Sequence, residues 1–277
     1  FATDTTASIP AKMSYLTDYH QASGNTTHAL VGGGYWNPSA NPGGGSAQAY
    51  NSRMDKVTYS NDTISNSPTS YTSINRRSAA TTGARNNGAG TTYTGDAIRW
   101  VDNASQTPKN GYCTTGEPYG NYIQKLVMPS DTVTQIPSGN SLEWPMYRGT
   151  ATGNTSNGYW AGGLRAPGSP EQQFVISVIQ KFVYSTDVGE NNPTRYLPVK
   201  LDNSAAGSSS TDAWFIGGIK QPGNNYHWTK IYKLTYSTDT VSTNPADMAA
   251  QAYDNSVTNS PSNAYMCGQD LTNKALK

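Results

Sequence analysis

The sequence predicts an all-β chain folded as a five-bladed propeller, its ring closed by strand sharing between the N- and C-termini. Three observations predict it. A ten-residue segment recurs as Met54–Thr63 (MDKVTYSNDT), Ile123–Thr132 (IQKLVMPSDT), Ile179–Val188 (IQKFVYSTDV) and Ile231–Thr240 (IYKLTYSTDT). The chain opens on half a copy, Phe1–Thr5 (FATDT), and closes on the other half, Lys274–Lys277 (KALK), so joining the ends makes a fifth. The turn aspartates Asp4, Asp62, Asp131, Asp187 and Asp239 follow at steps of 58, 69, 56 and 52 residues, with 42 more across the joined ends. Periods of about 40–50 residues holding four short strands each are the signature of propeller blades.

Within a repeat the elements come in a fixed order. Each copy of the ten-residue segment alternates apolar with polar residues and breaks at Ser/Thr/Asn-Asp, the pattern of a half-buried strand ending in a turn. Upstream stands an apolar strand running into glycine: Ala29–Gly34 (ALVGGG), Gly111–Gly116 (GYCTTG), Gly158–Gly163 (GYWAGG), Ala213–Gly218 (AWFIGG) and Ala264–Gln269 (AYMCGQ). Ahead of most of these lies a turn such as Gly153–Asn157, preceded by a polar strand, and after the aspartate a short strand leads to proline. The double glycines are expected where innermost strands crowd around the axis, since only small residues allow such approach. The aspartate is expected to cap its own turn through side-chain to backbone hydrogen bonds. Blade two carries an insertion at about 89–110. Its Ile98–Val101 run is too close to Ile123 to be a sixth blade. The whole, residues 1–277, reads as one domain.

Composition bounds the function. Charged residues are 13% and the net charge is +1, so the chain lacks the electrostatic footprint of a nucleic-acid or anionic-membrane binder. Mean hydropathy is −0.64, so solubility rests on Ser, Thr, Asn, Gly and Tyr, a balance common in exported and virion surface proteins. Six Trp and 19 Tyr at repeating positions argue against disorder. Cys113 and Cys267 fall at equivalent places in two repeats, which sets them too far apart for a disulfide, and two buried free thiols are expected. No apolar run approaches membrane-spanning length; the best stretch, Phe174–Ile179, is six residues. The chain begins and ends inside a strand pattern without an initiator Met, and reads as a processed product or part of something longer.

Catalytic motifs are weak. His20 and His28 lie eight apart in what reads as a solvated loop, and His227 stands alone, so no metal site or cofactor is expected. Gly43-Gly44-Gly45-Ser46 lacks the Lys of a phosphate loop and reads as a flexible segment. Sequons at Asn25, Asn61, Asn103 and Asn154 are what so Asn- and Thr-rich a chain produces by chance. Binding is the stronger reading. Loops after the second and fourth strands of a blade share one face, and they carry Tyr35, Trp36, Tyr119, Trp144, Tyr226 and Trp228. Aromatics on loops flanked by Asn, Gln and Gly suit stacking on sugar rings. The competing reading is that they pack between blades or under their own loops.

The combination of an apolar pair, Gly-Gly, a variable loop and Tyr-Ser-x-Asp-Thr resembles kelch-type propeller repeats. It is most similar to a tandem repeat of structural and tail-associated proteins of marine cyanophages, with Met54–Thr63 and Tyr159–Gly163 carrying the match best. The second repeat lacks the double glycine and the fifth has Gly268-Gln269. The resemblance implies a non-enzymatic virion or appendage structural protein, placed on a virion surface or outside the cell. Its partners would be other virion proteins and host-surface polysaccharide, with homo-oligomerisation left open. A secreted bacterial lectin or adhesin of the same fold is the alternative. No catalytic residue carries over.

Overall fold

The computed structural model describes residues 17–18, 21–24, 27–32, 35–36, 49–75, 80–82, 110–114, 122–127, 130–145, 148–154, 156–165, 174–190, 194–209, 211–221, 226–248, 253–259, 264–269 and 275–276. Over these residues the chain is all-β and antiparallel, apart from one 3-10 turn at Ser138–Asn140. The insertion at about 89–110 lies almost wholly outside the described residues.

The repeat unit seen in the sequence is a sheet. The first pairs Gln21–Gly24, His28–Gly32, Ala49–Thr58 and Thr63–Asn75 in that order. The second pairs Ala80–Thr82, Asn110–Thr114, Ile123–Val127 and Thr132–Gln135. The third pairs Thr150–Gly153, Asn157–Ala161, Val178–Val183 and Val188–Gly189. The fourth pairs Ala205–Ser208, Asp212–Ile216, Lys230–Thr235 and Thr240–Asp247. The fifth has three described strands, Tyr253–Asn259, Ala264–Gln269 and Ala275–Leu276. The register between second and third strands is common to the first four. Leu30, Tyr112, Tyr159 and Trp214 on second strands stand opposite Lys56, Lys125, Lys181 and Lys233 on third strands. In the fifth sheet Met266 and Cys267 stand opposite Leu276 and Ala275, and Tyr265, opposite Thr258, holds the place of Tyr159 and Trp214 in their hairpins. The two cysteines thus lie in the second strands of different sheets, and their side chains fall outside what is described.

The core lies between sheets. Leu30 and Met54 of the first sheet pack on Leu126 and Val133 of the second. Tyr112 and Ile123 of the second pack on Trp160 and Phe182 of the third. Tyr159 and Ile179 of the third meet Phe215 and Leu234 of the fourth, and Ile216 of the fourth meets Val257 of the fifth. A sheet packed on both sides buries both faces, so the third strands are more than half-buried: Ile179 and its neighbour Gln180 are both inaccessible. First strands follow one another too: Ala80–Thr82 lies beside Gln21–Gly24 and Thr150–Gly153, then Ala205–Ser208 and Tyr253–Asn259 come in turn. Thr152 Oγ1 and Ser208 Oγ, 2.6 Å apart, join two of them. The exposed outer strand Thr240–Asp247 holds Pro245, which withholds a donor from an open edge.

The glycine pairs sit elsewhere than the sequence suggests. Gly162 and Gly163 (φ +64° and +85°) and Gly217 and Gly218 (φ +63° and +94°) follow the second strands; they are not part of the first ones. A left-handed backbone is needed there to turn the chain out of the sheet. Space is the second reason, for a Cβ on Gly218 would stand 2.6 Å from Asp202 O.

Candidate functional site

Each sheet has two unlike ends. One carries the tight turns between third and fourth strands, whose aspartates share one backbone: Asp62, Asp131, Asp187 and Asp239 have φ of 52°, 51°, 53° and 52°. Aspartate tolerates this left-handed region better than most residues. The local hydrogen bonds come from the residue before it, as when Asn61 Oδ1 accepts from Thr63 Oγ1 at 2.7 Å and Thr238 Oγ1 meets Thr240 Oγ1 at 2.7 Å. The carboxylate itself reaches the preceding sheet. Asp187 accepts from Tyr112 Oη (2.7 Å) and Lys125 Nζ (2.5 Å); Asp239 accepts from Tyr159 Oη (3.3 Å), Lys181 Nζ (3.0 Å) and Arg195 Nη1 (3.0 Å). Burial and the facing carboxylate push both phenols well above the ordinary tyrosine range, so they stay protonated as donors. Tyr184 stacks on Tyr112 at 4.9 Å and Tyr236 on Tyr159 at 5.1 Å. The repeated Lys, Tyr and Asp are therefore an inter-sheet latch, and the expected turn-capping role of the aspartate is corrected.

At the first latch His28 takes the tyrosine's part. It is buried in a second strand, contrary to the solvated loop residue expected; its partner in that expectation, His20, lies outside the described residues. His28 Nε2–H donates to Asp131 Oδ1 at 2.9 Å, and Lys56 Nζ sits 2.5 Å from Oδ2. Burial lowers the imidazole below its ordinary value near 6.5, outweighing the pull of Asp131. A depressed folded pKa means stability that is full above the unfolded value and is lost as pH falls through the folded one. Tm of the wild type is expected to fall more between pH 7 and pH 5 than Tm of His28→Gln, and equal falls would refute the assignment.

The other end carries the long loops, because second strands finish and third strands start there. Small accessory strands fill it: Thr17–Asp18 with Tyr35–Trp36, Leu164–Arg165 with Phe174–Val175, and Lys200–Asp202 with Ile219–Gln221 and Tyr226–His227. Of the expected binding residues, Tyr35, Trp36 and Tyr226 lie in these strands, their side chains outside what is described, and Tyr119 is not described. Trp144 is half-buried against the second–third cluster with the Arg165 guanidinium 4.5 Å over its ring. Its backbone is clamped by the buried Gln180 amide, with Trp144 N donating to Oε1 (2.8 Å) and Nε2 donating to Trp144 O (3.1 Å). Sequence reasoning missed that clamp, though the shared Gln of the two Ile-Gln-Lys copies was its signal. Trp228 packs on the third–fourth cluster, donates through Nε1 to Tyr232 Oη (2.9 Å) and carries Lys220 Nζ 4.3 Å over its ring. The two tryptophans thus serve successive interfaces. Phe174, cross-strand from Arg165, is 55% exposed, and Tyr196 is 51% exposed. Aromatic planes edged by Arg and Lys donors can stack on a ring and bond its hydroxyl or acidic groups. Among the described residues no group of three or more His, Cys, Asp or Glu is placed to hold a metal ion, and no helix is long and apolar enough to cross a membrane.

Neither family models nor curated proteins show a match to this chain.

Proposed function

We propose that the chain is a five-bladed, kelch-like propeller in one domain, acting as a non-enzymatic virion or appendage protein that contacts host-surface polysaccharide through its long-loop end. Succession supports the ring: five sheets pack one on the next through four apolar interfaces, with their first strands adjoining in order. Strand count supports closure by the termini. The fifth sheet has three described strands, and the half copy Phe1–Thr5 remains to be its outer one.

The observation that carries recognition is the Phe174–Arg165–Trp144 group, an exposed ring beside a guanidinium stacked on a second ring. Arg165 and Lys220 cover one face of their tryptophans, which leaves the Phe174 ring and the two cations as the surface a sugar would meet. The test is binding of the purified chain to bacterial envelope polysaccharides, alongside Phe174→Ala, Lys220→Ala and Trp36→Ala. Wild-type binding that falls about tenfold in Phe174→Ala or Lys220→Ala, with Tm unchanged, is the expected result. No binding by the wild type would sink the glycan contact and leave a spacer or assembly role. Stoichiometric presence in purified particles separates the virion protein from a secreted lectin.

A further inference from the structure

The two ends of the molecule treat their cations differently. At the turn end Lys56, Lys125 and Lys181 are each paired with an aspartate of the next sheet. At the long-loop end Arg165, Lys200 and Lys220 have no carboxylate placed on them among the described residues, and Asp202, in the same strand as Lys200, is buried and turned to Arg148. Arg165 and Lys220 lie 4.5 and 4.3 Å over the rings of Trp144 and Trp228, and Lys200 is exposed. Backbone bonds bring the three into one layer. Gly163 N donates to Leu201 O at 2.7 Å and Leu201 N to Ile176 O at 3.4 Å, which ties the Arg165–Phe174 hairpin to Lys200–Asp202. Leu201 in turn stands opposite Lys220. The same layer shows rings to solvent. Phe174, opposite Arg165, is exposed, and so is Tyr196, which lies four residues before Lys200 and hence at most about 14 Å from it.

We propose that the polysaccharide met at this end is an acidic one, its carboxylate or sulfate groups held by Arg165, Lys200 and Lys220 while its sugar faces stack on Phe174 and Tyr196. This rests on the polysaccharide contact argued above and names the class of its ligand. Charge complementarity fixes the sign. A half-buried guanidinium without a counter-charge gains more from an incoming anion than a fully hydrated one, because the medium around it is less polar. Arg165 Nε is buried without a hydrogen-bond partner, and the stack on Trp144 holds the planar fork that matches an acid group. Exposed rings set among cations over one layer suit an extended polymer. The net charge of the whole chain is only +1, so the attraction belongs to this layer and favours a polysaccharide over nucleic acid.

The test titrates the full chain with polygalacturonate, its carboxyl-reduced form, dextran sulfate and dextran, at low and high salt. A charged polymer is expected to bind about tenfold or more tightly than its uncharged counterpart, and to weaken as salt rises. The tighter of the two polyanions tells a carboxylate from a sulfate ligand. Lys200→Gln and Arg165→Gln should each lower that affinity about threefold to tenfold, and Lys200→Arg should keep it. Lys200 is exposed, so its two variants read charge without touching the core. Equal binding of charged and uncharged polymers, or charged binding indifferent to both Gln variants, overturns acid recognition and leaves the polysaccharide contact standing. Single-stranded DNA bound as tightly as polygalacturonate also overturns it, by marking a general polyanion surface. No binding to any of the four polymers overturns it too, and the envelope polysaccharides of the earlier test then decide whether the contact itself falls.

Discussion

Phe182→Ala lowers the unfolding free energy by about 4 kcal/mol, the upper range for truncating a fully buried aromatic. The ring is inaccessible and sits among Tyr112 (5.2 Å), Trp160 (6.1 Å) and Tyr184 (6.4 Å), drawn from two sheets. Its loss opens a cavity that neither side can collapse into. Tyr112 is tied to Asp187, and Trp160 stands in a strand paired on both edges. For a chain of this length the drop corresponds to a Tm lower by about 10 °C. Thermal unfolding followed by near-ultraviolet circular dichroism measures it. A change below about 1 kcal/mol would mean that the second and third sheets do not share this core. Phe182→Leu, which keeps most of the volume, should cost well under half as much.

The parts of the fold written locally were legible in the sequence. Alternation marks a strand, Ser/Thr-Asp marks a turn, and a fixed period marks a repeat, so the four-strand order of the first four sheets could be read from residues such as Ile179–Val188. What crosses between sheets could not. Lys125 and Asp187 are 62 apart in sequence, Lys56 and Asp131 are 75 apart, and His28 and Asp131 are 103 apart. Each aspartate looks sufficient as a turn residue, and only packing shows that its carboxylate points away from its own turn. His28 misled for a related reason: polar neighbours such as Asn25 and Thr26 suggest a loop, while one buried carboxylate is enough to hold an imidazole inside. The glycine pairs were read for smallness, when their main requirement is a left-handed backbone. At the long-loop end the aromatics were visible, but their covering cations, Arg165 and Lys220, depend on hairpins inside irregular loops.

Asp239→Asn tests the latch where most converges on it. The carboxylate receives Tyr159, Lys181 and Arg195, and the Arg195 side chain is 3% exposed between Asp239 and Glu190. Asparagine keeps an acceptor and tolerates φ of +52°, so the substitution removes charge with little change in backbone cost. Breaking a fully buried pair costs about 3–5 kcal/mol, and an exposed one about 0–1. Asp239 is 31% exposed, which places the expected loss between these, at about 2 kcal/mol. Asp239→Ala should cost about 1 kcal/mol more, because a Cβ without a polar group gains nothing in the left-handed region. Asp62→Asn, at the same motif position with the same backbone, should leave Tm unresolved from wild type, since Asp62 is exposed and among the described residues no lysine is placed on its carboxylate. Equal losses at Asp62 and Asp239 would assign the repeated aspartate to its turn. Unequal losses assign it to the sheet in front, which makes the repeat a device for docking one sheet on the next.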